Sequence, residues 1–185
     1  GLVGIDTTQI NLIKSKVSAN GDANAFNLLR AGLVVLDSST VSLIDSQVSS
    51  NRASGLLVGT SGVVTLTNSE VSGNGHAGLL VVGPATAATA ATVVQKSMIK
   101  GNGTAPLCKE IGFSICNGIL VGGEAHVTII DSTISKNADW GIGAMLLKCS
   151  YPQNVLPGGK VAFQGENTIK DNNKAGKRLG EVCLP

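Results

Sequence analysis

Val64-Thr65-Leu66-Thr67-Asn68-Ser69-Glu70-Val71-Ser72-Gly73-Asn74 carries a skeleton of apolar-x-apolar, then Ser, then an aliphatic residue, then Asn. The same skeleton recurs in phase along the chain. Ile10-Asn11-Leu12 is followed by Ser15, Val17 and Asn20; Val41-Ser42-Leu43 by Ser46, Val48 and Asn51; Thr92-Val93-Val94 by Ser97, Ile99 and Asn102. Val127-Thr128-Ile129 precedes Ser132, Ile134 and Asn137, and Val161-Ala162-Phe163 precedes Asn167, Ile169 and Asn172, with one extra residue before the Ser position. A second phrase, Gly followed by aliphatics, lies between copies: Gly32-Leu33-Val34-Val35, Gly55-Leu56-Leu57-Val58, Gly78-Leu79-Leu80-Val81, Gly118-Ile119-Leu120-Val121 and Gly141-Ile142-Gly143-Ala144.

Each repeat thus offers three strand-sized pieces that alternate with period two and break at Gly, Ser or Asn; none shows the helical period. No such unit buries its apolar face alone, so copies must stack, each strand pairing in parallel with its equivalent in the next coil. Hairpins at Asn20-Gly21, Asn74-Gly75, Asn102-Gly103 and Asn117-Gly118 are the rival reading. They fail on phase, because Asn51, Asn137 and Asn172 hold the same repeat position without a following Gly. A column of asparagine amides can instead bond along the stack, and Asn20, Asn51, Asn74, Asn102, Asn137 and Asn172 are expected to form it.

The Gly-Leu-Leu-Val and Val-Thr-Leu-Thr-Asn-Ser-Glu-Val-Ser-Gly-Asn phrases, with their copies over nearly the whole chain, resemble the parallel β-helix repeats of the pectate-lyase-like superfamily. The resemblance implies an all-β, right-handed parallel β-helix of about six coils with three parallel sheets: sheet one (Gly-Leu-Leu-Val), sheet two (Val-x-Leu) and sheet three (Ser-x-Val). It says little of activity, since lyases, hydrolases, epimerases and non-catalytic surface proteins share the architecture. Residues 1–185 read as one domain that opens inside a coil, as a piece of a longer chain would, with a polar cap over 173–185.

Composition narrows the function classes. Of 185 residues 43% are hydrophobic and 3% aromatic, and 14 Lys and Arg face 12 Asp and Glu for a net +2. That excludes disorder. No run approaches the roughly 18 apolar residues of a membrane helix, and the scattered cations lack the aromatic interleaving of a nucleic-acid surface. The outward residues of sheet two, Asn11, Ser42, Thr65, Val93, Thr128 and Ala162, are too irregular to match an ice lattice.

Four insertions interrupt the repeat, at 21–31, 83–91, 103–117 and 145–160, all flanking sheet one, and every cysteine lies in or after them. Spacing pairs Cys108 with Cys116 and Cys149 with Cys183, two disulfides that imply an oxidising, extracellular or cell-surface compartment. Gly73-Asn74-Gly75-His76-Ala77-Gly78 fits the dinucleotide fingerprint, yet a strand follows it rather than a helix, so no cofactor is expected. Asn102-Gly103-Thr104 matches the N-glycosylation acceptor.

Polysaccharide cleavage needs an acid and base pair, or acids holding Ca²⁺ beside an Arg or Lys base. Asp6 and Asp37 share one repeat phase and are weak metal candidates; capping of turns explains them better. Lys14, Asp45, Asn68, Lys96, Asp131 and Glu166 form a second polar column with partly alternating charge. His76 reads as a solvated turn residue, and no catalytic residue is assigned. The paired-Asp and Arg-x-Lys phrases of polygalacturonases are absent from the sequence.

The expected protein is therefore a non-catalytic extracellular or cell-surface module, a stalk, adhesin or carbohydrate-associated binder of a protein or glycan partner. The alternative is a polysaccharide lyase or hydrolase of the same superfamily. Alternation within sheet one directs Val3, Val34, Leu57, Leu80 and Leu120 outward as an apolar stripe, expected to be a partner or self-association surface. Cover by the chain's own insertions, which carry Leu107, Ile111, Phe113, Tyr151 and Leu156, is the competing expectation.

Overall fold

A computed structural model of the chain describes residues 1–21, 30–83, 91–109, 115–173 and 181–185. The described chain is a stack of coils, each giving one short strand to each of three sheets. Sheet one holds β1 (Leu2–Gly4), β4 (Leu33–Val35), β7 (Leu56–Gly59), β10 (Leu79–Val82), the start of β13 (Ile119–Ile130), β15 (Ile142–Ala144) and β18 (Val182–Cys183). Sheet two holds β2 (Gln9–Ile13), β5 (Thr40–Ile44), β8 (Val63–Thr67), β11 (Thr92–Gln95), the end of β13 and β16 (Gly158–Gln164). Sheet three is β3 (Lys16–Ser18), β6 (Gln47–Ser49), β9 (Glu70–Ser72), β12 (Met98–Lys100), β14 (Thr133–Ser135) and β17 (Thr168–Lys170).

Every pairing is parallel, and register places repeat position on repeat position: Leu33, Leu56, Leu79, Ile119 and Ile142 stack, as do Val48, Val71, Ile99 and Ile134. Their side chains turn inward with Val41, Val64, Leu43, Leu66, Val127 and Ile129 of sheet two to make the main core. Complete burial of each such aliphatic contributes roughly 1.5–3 kcal/mol.

The corner between sheets three and one is closed by the asparagine column. Each side-chain amide donates to the carbonyl oxygen of the next: Asn20 to Asn51, Asn51 to Asn74, Asn74 to Asn102 and Asn102 to Asn137, at 2.9 Å in each case. The second amide proton of Asn74 goes to the Val48 carbonyl in the preceding coil, at 3.2 Å. The same Asn oxygen also accepts the backbone N–H of the preceding asparagine, at 3.1 Å between Asn51 and Asn74. All hydrogen-bonding groups of a buried amide are thus used, and the column has a direction. It ends at Asn172, whose amide donates to the Glu181 carboxylate, a group that only accepts.

The repeat glycine follows from the same column. A Cβ built on Gly78 would lie 2.7 Å from the Asn102 amide nitrogen and 2.8 Å from the Gly118 carbonyl oxygen, closer than real atoms approach. Gly and Asn therefore recur together because each occupies the room the other needs.

At the corner between sheets two and three the recurring serines form a second ladder. Backbone N–H groups of Ser15, Ser46, Ser69 and Ser97 donate to the hydroxyl of the next serine at 3.0–3.1 Å, and Ser132 finishes on the Asn167 carbonyl oxygen at 2.9 Å. The residue before each serine, Lys14, Asp45, Asn68, Lys96 or Asp131, is left-handed with φ of 47–50°. In the last coil Gly165 takes this conformation, so the column expected to include Glu166 passes through Gly165 instead; Glu166 is the inserted residue. Of the C-terminal segment expected as a cap, Asn173 bonds back to Asn137 and β18 pairs with β15, while 174–180 lies outside the described residues.

Candidate functional site

The outer face of sheet one is where the sequence directs attention, and the structure corrects the expectation of an open stripe there. Val34, Leu57, Leu80 and Leu120 do form a cluster separate from the main core, so they point outward as the alternation requires. They are nevertheless buried, at 0–5% exposure, beneath Ala31, Ala77, Ile115, Cys116 and Met145, with Cys108, Tyr151 and Val155 packed at the margin. Only Val3, on the terminal strand β1, stays exposed, at 59%. The physical reason is that an aliphatic stripe across coils is costly to leave wet, and two insertions of the same chain lie across it.

Of the residues expected to supply that cover, Tyr151 does so, whereas Leu156 points to solvent. Ile111 and Phe113 lie outside the described residues, as does the side chain of Leu107. The cover is pinned. Cys108–Cys116 closes the 103–117 insertion, and Cys149–Cys183 ties the short turn Leu147–Cys149 to β18. The Trp140 indole donates to the Cys149 carbonyl at 3.1 Å, and Val155 N–H to the Met145 carbonyl at 2.8 Å, which folds 145–160 back onto the sheet.

The insertion at 103–117 also buries His76, correcting its reading as a solvated turn residue. Ala105 N–H bonds to the Gly75 carbonyl at 2.9 Å and the Cys108 sulfur lies 3.3 Å from the same oxygen, which leaves His76 4% exposed. Its Nε2 has no hydrogen-bond partner among the described residues. Burial lowers its pKa below that of an ordinary histidine, which favours the neutral ring.

Asp6 and Asp37 do meet across neighbouring coils, both left-handed, in a column with Thr60. The Asp37 carboxylate accepts the Asp6 backbone N–H at 3.4 Å, and the Thr60 hydroxyl receives the Asp37 N–H. That is turn capping, and it engages both oxygens of the Asp37 carboxylate. Asn102, the glycosylation acceptor in sequence, is 1% exposed and held in the ladder, so the folded chain does not present it. The fingerprint at 73–78 is likewise spent on structure: Asn74 is a ladder member and β10 follows.

A polar concavity runs along the corner between sheets two and three. It encloses about 450 Å³ and is lined by Asp45, Gln47, Asn68, Glu70, Lys96, Met98, Asp131 and Thr133, with the ladder serines at its base. The left-handed column and the outward first residues of sheet three form its walls. Asn68 donates to Asp45, and the Asp131 carboxylate accepts the Glu166 N–H at 2.9 Å. Glu70 pairs with Lys100 at 3.0 Å. Burial raises the Glu70 carboxyl, but bonds from Ser72, Lys100 and Gln47 outweigh it and hold the pKa below the ordinary carboxylate value. Among the described residues the alternating charges expected along this column form no ion pair within it; Glu70 and Lys100 pair one step away on sheet three.

A family model described as the right-handed beta helix region matches residues 5–179 of the chain. No curated protein and no solved structure matches it significantly.

Proposed function

The chain belongs to the right-handed β-helix family, and we propose that within it this module is non-catalytic and works in an extracellular or cell-surface setting as a stalk or carbohydrate-associated binder. One observation carries the reading. The outer face of sheet one, which all four insertions flank, is filled from Val34 to Leu120 by aliphatic side chains and sealed by the chain's own insertions. Acid and base chemistry needs titratable groups that face a substrate. Here His76 is buried, and the Asp37 carboxylate is engaged in turn capping. Two disulfides support an oxidising compartment, and among the described residues no helix is long and apolar enough to cross a membrane.

Incubation of the purified chain with acidic and neutral polysaccharides, with and without Ca²⁺, tests the reading. The expected result is no release of reducing ends or unsaturated uronic-acid products above the buffer control. Turnover that disappears in Asp37→Ala or His76→Ala would overturn it in favour of a polysaccharide lyase or hydrolase.

A further inference from the structure

The corner groove has a chemistry that names a ligand class, and we infer that it binds a neutral oligosaccharide lying along the coil axis. The inference rests on the module being a carbohydrate-associated binder. Four features of the groove point to it. First, its hydrogen-bonding capacity is mainly accepting. The carboxylates of Asp45 and Asp131 and the carbonyl of Asn68 line it, against one ammonium, Lys96, which makes no hydrogen bond or ion pair among the described residues. Acceptors call for a ligand rich in hydroxyl donors, and excess negative charge disfavours an anionic one.

Second, Met98 lies 36% exposed among these polar groups, an apolar patch for the C–H face of a sugar ring. Third, the groove crosses four coils, with equivalent positions recurring every ~4.8 Å. A polymer of short repeat therefore meets related chemistry at each step. Fourth, the floor is preorganised, because the serine ladder fixes the backbone behind it and little ordering remains for the ligand to impose.

The stack itself supplies variants that leave the fold intact. Lys14 and Lys96 already hold the left-handed position of Asn68, and Glu70 already holds the sheet-three position of Met98. Asn68→Lys and Met98→Glu therefore change the groove without introducing a residue type the column does not carry. The experiment is titration calorimetry of the disulfide-bonded chain with soluble β-linked hexamers of glucose, xylose and mannose, with hexagalacturonate and a Lys-rich peptide as charged probes.

The inference expects at least one neutral hexamer to bind, with Kd weakened about tenfold or more by Met98→Glu and by Asn68→Lys while both variants keep the parent unfolding midpoint. No binding of any neutral hexamer, equal binding by the variants, or tighter binding of either charged probe would overturn it. Neutral-sugar binding that both variants fail to disturb would leave the non-catalytic reading standing and remove only the groove. Turnover of a bound sugar would do the reverse.

Discussion

The two faces of sheet one carry nearly the same side chains and are built in different ways. Inward, Leu33, Leu56, Leu79, Ile119 and Ile142 are covered by sheets two and three, which repeat with them coil by coil. Outward, Val34, Leu57, Leu80 and Leu120 are covered by segments that do not repeat, held by one disulfide within 103–117 and another from 145–160 to β18. One core follows from the stacking of equal units. The other depends on where particular insertions fall back, so it can vary while the solenoid stays the same.

The largest effect that sharpens this comparison is expected from truncating neighbouring leucines on opposite faces. Leu79→Ala opens a cavity between ladders fixed on all sides and is expected to cost about 3 to 5 kcal/mol; Leu80→Ala, beneath insertions that can settle inward, about 2. Denaturant unfolding of both variants checks the order. Equal losses would mean that the outer core is as rigidly framed as the inner.

A smaller effect is expected from Cys108→Ser with Cys116→Ser. The bridge closes a sequence separation of 8, and its loss is expected to cost about 2.5 kcal/mol in the chain-entropy account. An apolar dye should then bind more, because the cover over Leu80 loosens while the main core keeps its circular dichroism. Unchanged dye binding would separate the disulfide from the cover.

The smallest effect concerns pH. Since burial lowers the His76 pKa, the unfolded chain takes up that proton first as pH falls through the ordinary histidine range. The folded state therefore loses stability relative to the unfolded one below about pH 6.5, and no such difference remains above it. His76→Leu is expected to shrink the drop in unfolding midpoint between about pH 7 and pH 5. An unchanged drop would place the acid sensitivity elsewhere.

What the sequence made legible follows the same division. The sheets, their register and the asparagine column could be read because Asn51, Asn74, Asn102 and Asn137 recur in phase, and recurrence along a stack means contact. The serine ladder carried the same signal, in Ser46, Ser69, Ser97 and Ser132, although only the asparagines were read as bonding along the stack. The burial of Leu57 and Leu80 could not be read, because it is set by Ile115, Met145 and Tyr151 in segments with no counterpart in other coils. The corner groove lay between. Its column of Lys14, Asp45, Asn68, Lys96 and Asp131 was visible as polar positions, but the shared left-handed turn that directs those side chains outward was not.

The central claim is that the outer face of sheet one is interior, and the double variant Leu57→Asp, Leu80→Asp measured by light scattering and denaturant unfolding tests it most directly. Two carboxylates placed under the insertions would be buried without partners. The account predicts a stability loss of several kcal/mol, loosened insertions and the association state of the parent chain unchanged. Parent-like stability combined with lost self-association or partner binding would contradict it and make the face an interface.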